Sequence, residues 1–304
     1  MDIPANILIA GPTASGKSRL ALELAVRHGG VIINADSMQV YAELRVLTAR
    51  PSPEDEVVAS HRLYGHVPAR ERYSVGRWLG DVGAVLDATR REGRPAIVVG
   101  GTGLYFKALT EGLAAVPPIP AEVRAANLRE SEGVSTPELH ERLAAVDPQD
   151  AAAIRTSDRA RILRALDVFT ATGRPLAEWR GVAAAPPLVD PSAARRIVLD
   201  PERAELGRRI AERAERMVAA GALAEVEVLG ALGLNPELPA MKAIGVRELT
   251  ARRAGLLSLE EALAAIRTET RRYAKRQMTW FRHQMSDWSR VADASALDLA
   301  GLRT

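Results

Sequence analysis

Asn6-Ile-Leu-Ile-Ala10 runs straight into Gly11-Pro-Thr-Ala-Ser-Gly-Lys-Ser18, and these two stretches together decide the fold. The apolar run reads as a short buried strand. Beyond the second glycine, Leu20, Ala21, Leu24 and Ala25 recur at helical spacing, so the segment spells strand, loop, helix. Its middle is a complete G-x-x-x-x-G-K-[ST] phosphate loop in the structural context that gives this pattern meaning. Backbone N–H groups curled at a helix N-terminus attract anions, with Lys17 placed for terminal phosphates and the Ser18 hydroxyl for Mg²⁺. The expected ligand is a diphosphate or triphosphate, cradled by Gly11, Pro12, Thr13, Ala14, Ser15, Gly16, Lys17 and Ser18.

Further apolar runs lie at Val31 to Ala35, Pro95 to Val99 and Ile197 to Leu199, separated by helical patterns. Continuous apolar strands of this kind belong to parallel sheets covered on both faces. The predicted fold is therefore α/β, a P-loop NTPase-like parallel sheet covered by helices, with ligands at the carboxyl ends of the strands. Two proline clusters, Pro117, Pro118 and Pro120, then Pro186, Pro187 and Pro191, enclose helical patterns at Leu139 to Val146 and Ala160 to Phe169 without a strand signal. The expected division is a catalytic core of residues 1–115 and 191–304 with a helical insertion domain of residues 116–190. After Leu199 the pattern is helical almost to the end, with a weak tail from about Ser289.

Composition narrows the chemistry. With 47% hydrophobic and 26% charged residues the chain is ordinary globular protein, which excludes global disorder. It has no Cys, which removes disulfides, thiolate metal sites and a cysteine nucleophile together. The longest uncharged stretch, Ile3 to Gly16, is 14 residues, too short to span a bilayer as a helix. The start MDIPANILIA carries Asp2 and Pro4 in place of a basic leader, so no signal peptide is expected and the anticipated location is the cytoplasm. Net charge is only +3, yet residues 239–290 hold eleven Lys/Arg against five Asp/Glu, interleaved with Tyr273, Trp280, Phe281 and Trp288. Basic and aromatic residues alternating in this way suit an RNA surface. Only four of the 41 basic residues are lysines, Lys17, Lys107, Lys242 and Lys275, which singles them out as positions where a compact ammonium is wanted.

Three further positions carry chemistry. Asp36 and Ser37 follow the second strand, either as a helix cap or as a carboxylate on the rim of the phosphate crevice. The third strand ends in Gly100-Gly-Thr-Gly-Leu-Tyr105, where position 106 is Phe in place of the third glycine of a dinucleotide fingerprint. Those glycines let the backbone approach a ligand, with Thr102 the polar group on offer. In the helix after Pro201, Leu206, Ile210, Arg213 and Met217 form one stripe, so Arg213 is either a snorkelling side chain or an anion clamp facing the phosphate loop.

Seven blocks, GPTASGKS, ADSMQVY, GGTGLYFKAL, SDRARILRALDV, LGRRIAERAERM, MKAIGVRE and TRRYAKRQMTWFRHQ, stand in an order that resembles the tRNA dimethylallyltransferases, also called tRNA isopentenyltransferases, over about residues 5–285. The resemblance implies transfer of a dimethylallyl group from dimethylallyl diphosphate to the exocyclic amine of the adenine just 3′ of the anticodon in tRNA. It further implies Mg²⁺, a base flipped into a channel, and a phosphate loop that serves a diphosphate leaving group. It assigns catalytic roles to Asp36 as general base, Thr102 near the reacting centre and Arg213 on the pyrophosphate. To tRNA it assigns Asp36, Ser37, Met38, Gln39, Thr102, Arg124, Ala160, Arg161, Ile162, Leu163, Arg164, Lys242, Ala243, Ile244, Gly245, Val246 and Arg247. Where the family has a G-T-A-K-P string this chain has Leu47-Thr48-Ala49-Arg50-Pro51, so no role is carried over to Thr48 or Arg50. The expected partner is the tRNA anticodon stem-loop, with no membrane, and the protein is expected to act as a monomer.

Two other classes compete. A P-loop small-molecule kinase, with ATP on the loop and Asp36 as base, accounts for the first 110 residues but not for the basic aromatic C-terminal helix. A nucleotide-gated RNA-binding protein accounts for that helix but leaves Asp36 and Thr102 idle.

Overall fold

The structure is a computed structural model that describes residues 4–179 and 186–293. Its frame is a six-stranded parallel sheet of β1 (Asn6–Ala10), β2 (Val31–Asn34), β3 (Ser60–Arg62), β4 (Ala96–Gly100), β5 (Arg195–Leu199) and β6 (Ser289–Val291), in the order β3-β2-β4-β1-β5-β6. The chain crosses from β1 to β2 through α1 (Lys17–His28) and from β3 to β4 through α3 (Val75–Arg91), with the short α2 (Pro53–Val58) before β3. Because side chains alternate along a strand, β1 sends Ile7 and Ile9 to the face packed by Leu20, Leu24 and Ala25 of α1. It sends Leu8 and Ala10 to the opposite face, packed by Trp78, Val82 and Leu86 of α3. Covered on both sides, the inner strands are apolar along Ile7–Ala10, Val31–Ile33, Ala96–Val99 and Ile197–Leu199.

The short strands β3 and β6 add to the four strands expected from sequence, and β6 lies at the start of what reads as a weak tail. Ser60-His-Arg62 and Ser289-Arg-Val291 lie at the two edges of the sheet, where one side of the strand lacks a neighbour. Edge positions tolerate polar residues, so neither segment shows an apolar run.

The chain divides into two compact units, residues 1–110 with 188–304, and residues 111–187. At the exit from the first unit, α4 (Gly103–Glu111) ends, and on return the N–H groups of Leu188 and Val189 both donate to the Leu109 carbonyl, at 3.1 and 3.2 Å. The second unit contains α5 (Ala121–Glu130), α6 (Thr136–Val146), α7 (Pro148–Ala153), α8 (Arg159–Thr172) and α9 (Leu176–Trp179). Leu139, Leu143, Ile162 and Ala165 form its core.

Beyond β5 the first unit continues as α10 (Arg203–Ala219), α11 (Ala222–Ala231), a 3-10 turn at Pro239–Lys242, α12 (Val246–Arg253) and α13 (Leu259–Gln284). The last is started by a reciprocal cap between Ser258 and Glu261. No helix among the described residues is long and apolar enough to cross a membrane.

Candidate active site

The phosphate loop joins β1 to α1 at the carboxyl edge of the sheet. Gly16, at φ 90°, caps α1 without a side chain, which leaves the first helical N–H groups uncovered. Thr13, Ala14, Gly16, Lys17 and Ser18 line a cleft, whereas Gly11, Pro12 and the Ser15 side chain are buried beneath it. Lys17 Nζ donates to the Pro12 carbonyl at 3.1 Å. From α10, Arg213 Nη1 donates to Thr13 Oγ1 at 2.8 Å and Nη2 to the Thr48 carbonyl at 3.3 Å. Among the described residues no carboxylate lies within salt-bridge distance of Arg213. The guanidinium therefore turns into the cleft wall and does not snorkel to solvent.

Asp36 faces this loop from the end of β2. Buried Asn34 fixes its main chain, accepting from Asp36 N–H at 2.8 Å and donating to the Asp36 carbonyl at 2.9 Å. Asp36 Oδ1 accepts from the Met38 N–H at 2.9 Å, which closes a turn and is not the helix cap that the sequence allowed, since no helix begins between it and Pro53; the same carboxylate lines the cleft. Thr102, expected near the reacting centre, braces the turn beside Asp36. Its Oγ1 accepts from Ser37 N–H at 2.9 Å and contacts Ser37 Oγ at 3.3 Å, and Thr102 is not among the residues lining the cleft. Its hydroxyl is committed to holding the Asp36–Ser37 turn. Gly100 must be glycine, since a Cβ there would lie 2.0 Å from the Ala35 carbonyl oxygen.

The opposite wall contains the divergent Leu47–Pro51 segment. Glu225 of α11 accepts from three successive N–H groups, Arg45, Val46 and Leu47, at 2.9, 2.6 and 2.9 Å. Gln39 Nε2 donates to the Thr48 and Ala49 carbonyls at 2.9 and 2.8 Å, and Arg50 Nη1 donates to the Tyr41 and Ala42 carbonyls. Arg50 is thus spent within its own loop, and Thr48 contributes a main-chain oxygen to Arg213. The cleft has a volume of about 470 Å³. Five basic side chains line it, Lys17, Arg19, Arg213, Lys242 and Arg276, and the one carboxylate among them is Asp36. Leu47, Ile210, Met217 and Ile266 add an apolar portion.

This cleft suits an anion with an apolar attachment next to one carboxylate, and the comparisons with known proteins agree. A family model described as IPP transferase matches residues 39–284, and one described as isopentenyl transferase matches residues 5–68. The chain is 55% identical over 295 residues to the tRNA dimethylallyltransferase of Azorhizobium caulinodans, covering 97% of this chain and 94% of that one. The chain belongs to the tRNA dimethylallyltransferase family. Another tRNA dimethylallyltransferase, from Methylobacterium nodulans, is 58% identical over 284 residues, covering 93% of each chain. Among solved structures, the tRNA isopentenylpyrophosphate transferase of Bacillus halodurans is 30% identical with a TM-score of 0.67, covering 97% of this chain and 92% of that one. A eukaryotic dimethylallyltransferase acting on tRNA is 26% identical with a TM-score of 0.80, covering 97% of this chain and 75% of that one.

In this member of the tRNA dimethylallyltransferase family, the other expected site residues are scattered by the fold. Ser37, Met38, Gln39, Lys242, Ala243 and Ile244 line the same cleft. Lys242 Nζ is held by Glu237 at 2.7 Å, and Arg247 is exposed beside the buried Glu248. Val246 is buried, and so is Ile162, which is wholly enclosed in the core of the second unit. Both therefore come off the set of side chains offered to RNA, because helical spacing points them inward. In that second unit Arg124 pairs with Asp167 at 3.8 Å and Arg161 with Asp158 at 3.4 Å. Sequence reading passed over Arg19, Ile266 and Arg276 and placed Tyr273 only among the aromatics of an RNA surface, yet all four line the cleft. A signal for part of this existed: Ile266, Thr270, Tyr273 and Gln277 are spaced four, three and four apart, one face of α13.

The electrostatics follow from burying charged and phenolic groups around Asp36. Burial pulls Lys17 down to about 8, with Asp36 opposing and Arg213 adding to the shift. Burial likewise lowers Arg213, against the pull of Asp36. Burial and the Asp36 charge push Tyr273 up, which keeps its phenol neutral.

Proposed function

We propose that this chain transfers the dimethylallyl group of dimethylallyl diphosphate to the exocyclic amine of the adenine 3′-adjacent to the anticodon in tRNA, releasing diphosphate. The observation that carries this reading is one cleft in which Lys17 and Arg213 at the phosphate loop stand opposite a single carboxylate, Asp36. The amine nitrogen bonds to the allylic carbon as the carbon–oxygen bond to the diphosphate breaks, the diphosphate keeps the electron pair, and Asp36 takes the amine proton. An adenine amine is a poor nucleophile, so most of the burden falls on the leaving group. Each preorganised donor there is worth about 2.7–4 kcal/mol, and a positioned base adds about 10²- to 10⁴-fold. Taking the base out of its stack costs a few kcal/mol, less in an open anticodon loop.

Mg²⁺ fits the donor set. Ser18 is exposed at the cleft and Asp36 is the one carboxylate lining it, a sparse protein contribution of the kind Mg²⁺ accepts when substrate phosphates and water complete its shell. Ser18 would hold the ion, which when bound offsets charge on the departing diphosphate.

The second unit supplies tRNA contacts through Arg124, Arg161 and Arg164, with Leu163 and Ala160 alongside. Neutralising Arg161 and Arg164 together as glutamines should weaken tRNA binding and flatten its salt dependence, by about 0.7–0.9 in log–log slope for each phosphate no longer neutralised. Filter binding across a salt series reads this, and an unchanged slope would remove the second unit from the RNA surface.

Diphosphate binding should follow Lys17. Its charged form dominates below about 8 and is the form an anion favours, so affinity is full below that value and falls as pH rises through it. Calorimetric titration of dimethylallyl diphosphate should show a loss approaching tenfold per pH unit above 8, and a flat profile from pH 7 to 9.5 would contradict it. The reaction itself is tested by incubating the protein with tRNA and either labelled dimethylallyl diphosphate or labelled ATP. Label should enter tRNA from the first alone, and phosphoryl transfer from ATP to a small acceptor would establish the kinase reading instead.

A further inference from the structure

The two halves of the cleft, loop and carboxylate, are joined by a residue that touches neither substrate site directly. Gln277, on α13 and almost wholly buried, uses both ends of its side-chain amide. Oε1 accepts from the Thr13 N–H at 2.9 Å, and Nε2 donates to the Gly101 carbonyl at 2.9 Å. The fit is close enough that a Cβ on Gly101 would fall 2.1 Å from Nε2, and the same Cβ would stand 3.4 Å from Asp36 Oδ2. On the other side, Thr13 passes the restraint on through its hydroxyl, which accepts from Arg213. A continuous chain of contacts thus runs from Arg213 through Thr13, Gln277 and Gly101 to the neighbourhood of Asp36.

We propose that Gln277 is a positioning residue, a two-ended brace that fixes how far the leaving-group cradle stands from the base. It rests on the prenyl-transfer reading, in which the diphosphate and the amine must meet at one carbon. Fixing reactants relative to one another acts on turnover more than on binding, and a misplacement of about 1 Å can cost about 10²-fold.

Gln277→Met keeps the volume and removes both hydrogen bonds. Turnover per folded molecule should fall by about 10- to 100-fold, with KM for dimethylallyl diphosphate and for tRNA each within about threefold of wild type. Gln277→Glu keeps the acceptor for Thr13 and regains the donor to Gly101 only when protonated, so its kcat relative to wild type should rise as pH falls. The Thr13 amide should also exchange hydrogen slowly in wild type and faster in Gln277→Met, read by NMR at matched global stability. Wild-type kcat in Gln277→Met, a loss confined to KM, or equal Thr13 exchange in both proteins would overturn the brace. Should Gln277→Met fail to fold, the Gln277→Glu ratio carries the test, and a ratio that does not change with pH overturns it. Failure of the reaction reading shows separately, as wild-type protein that moves no label to tRNA.

Discussion

Asp36→Asn should yield a folded protein that binds both substrates and transfers the dimethylallyl group about 10²- to 10⁴-fold more slowly at saturation. The substitution keeps the oxygen that accepts from Met38 N–H, and the Asn34 bonds that fix the turn go to main-chain atoms, so the local structure survives. What disappears is the single carboxylate lining the cleft. Were Asp36 only a turn residue, the cost would be at most about 1 kcal/mol of stability with the rate intact. Single-turnover measurement at saturating substrates separates the two, and near-wild-type transfer would remove Asp36 as the base.

Arg213→Ala should lower kcat/KM by about 10²- to 10³-fold, the worth of one preorganised donor of about 2.7–4 kcal/mol. The melting temperature should change little. The guanidinium's partners, the Thr13 hydroxyl and the Thr48 carbonyl, belong to residues that line the cleft, so water can replace it. A structural arginine would behave in the opposite way, with a large drop in melting temperature and normal turnover per folded molecule. Arg213→Lys should recover only part of the loss, because an ammonium cannot span two acceptors as the guanidinium fork does.

How much of this was legible in the sequence depends on how local the cause is. The strands β1, β2, β4 and β5 announce themselves because burial on both faces demands unbroken apolar runs, while β3 and β6 are polar edge segments of three residues each. Lys17 was legible because the phosphate loop is contiguous, and Arg213 because a charged residue interrupts an apolar stripe. Asp36 was legible as a strand-end carboxylate, and its double duty became clear only with the turn around it. Thr102 was legible as the polar group of its glycine-rich loop, and only the fold brings Ser37 to it from 65 residues away. Gln277 shares a readable helix face with Ile266, Thr270 and Tyr273, but its bracing role left no local trace, since its partner Thr13 is 264 residues distant and only the fold unites them.

The shared carbonyl of Leu109, against which the chain both leaves and rejoins the first unit, has a consequence for chain entropy. With its ends pinned together, the excursion between them is to the sheet a closed loop, whose cost grows only with the logarithm of its length. Doubling it adds about 0.6 kcal/mol. The sheet and its phosphate loop are therefore nearly indifferent to the size of what is threaded there, and the second unit is free to lengthen, shorten or be exchanged without the catalytic frame having to be rebuilt.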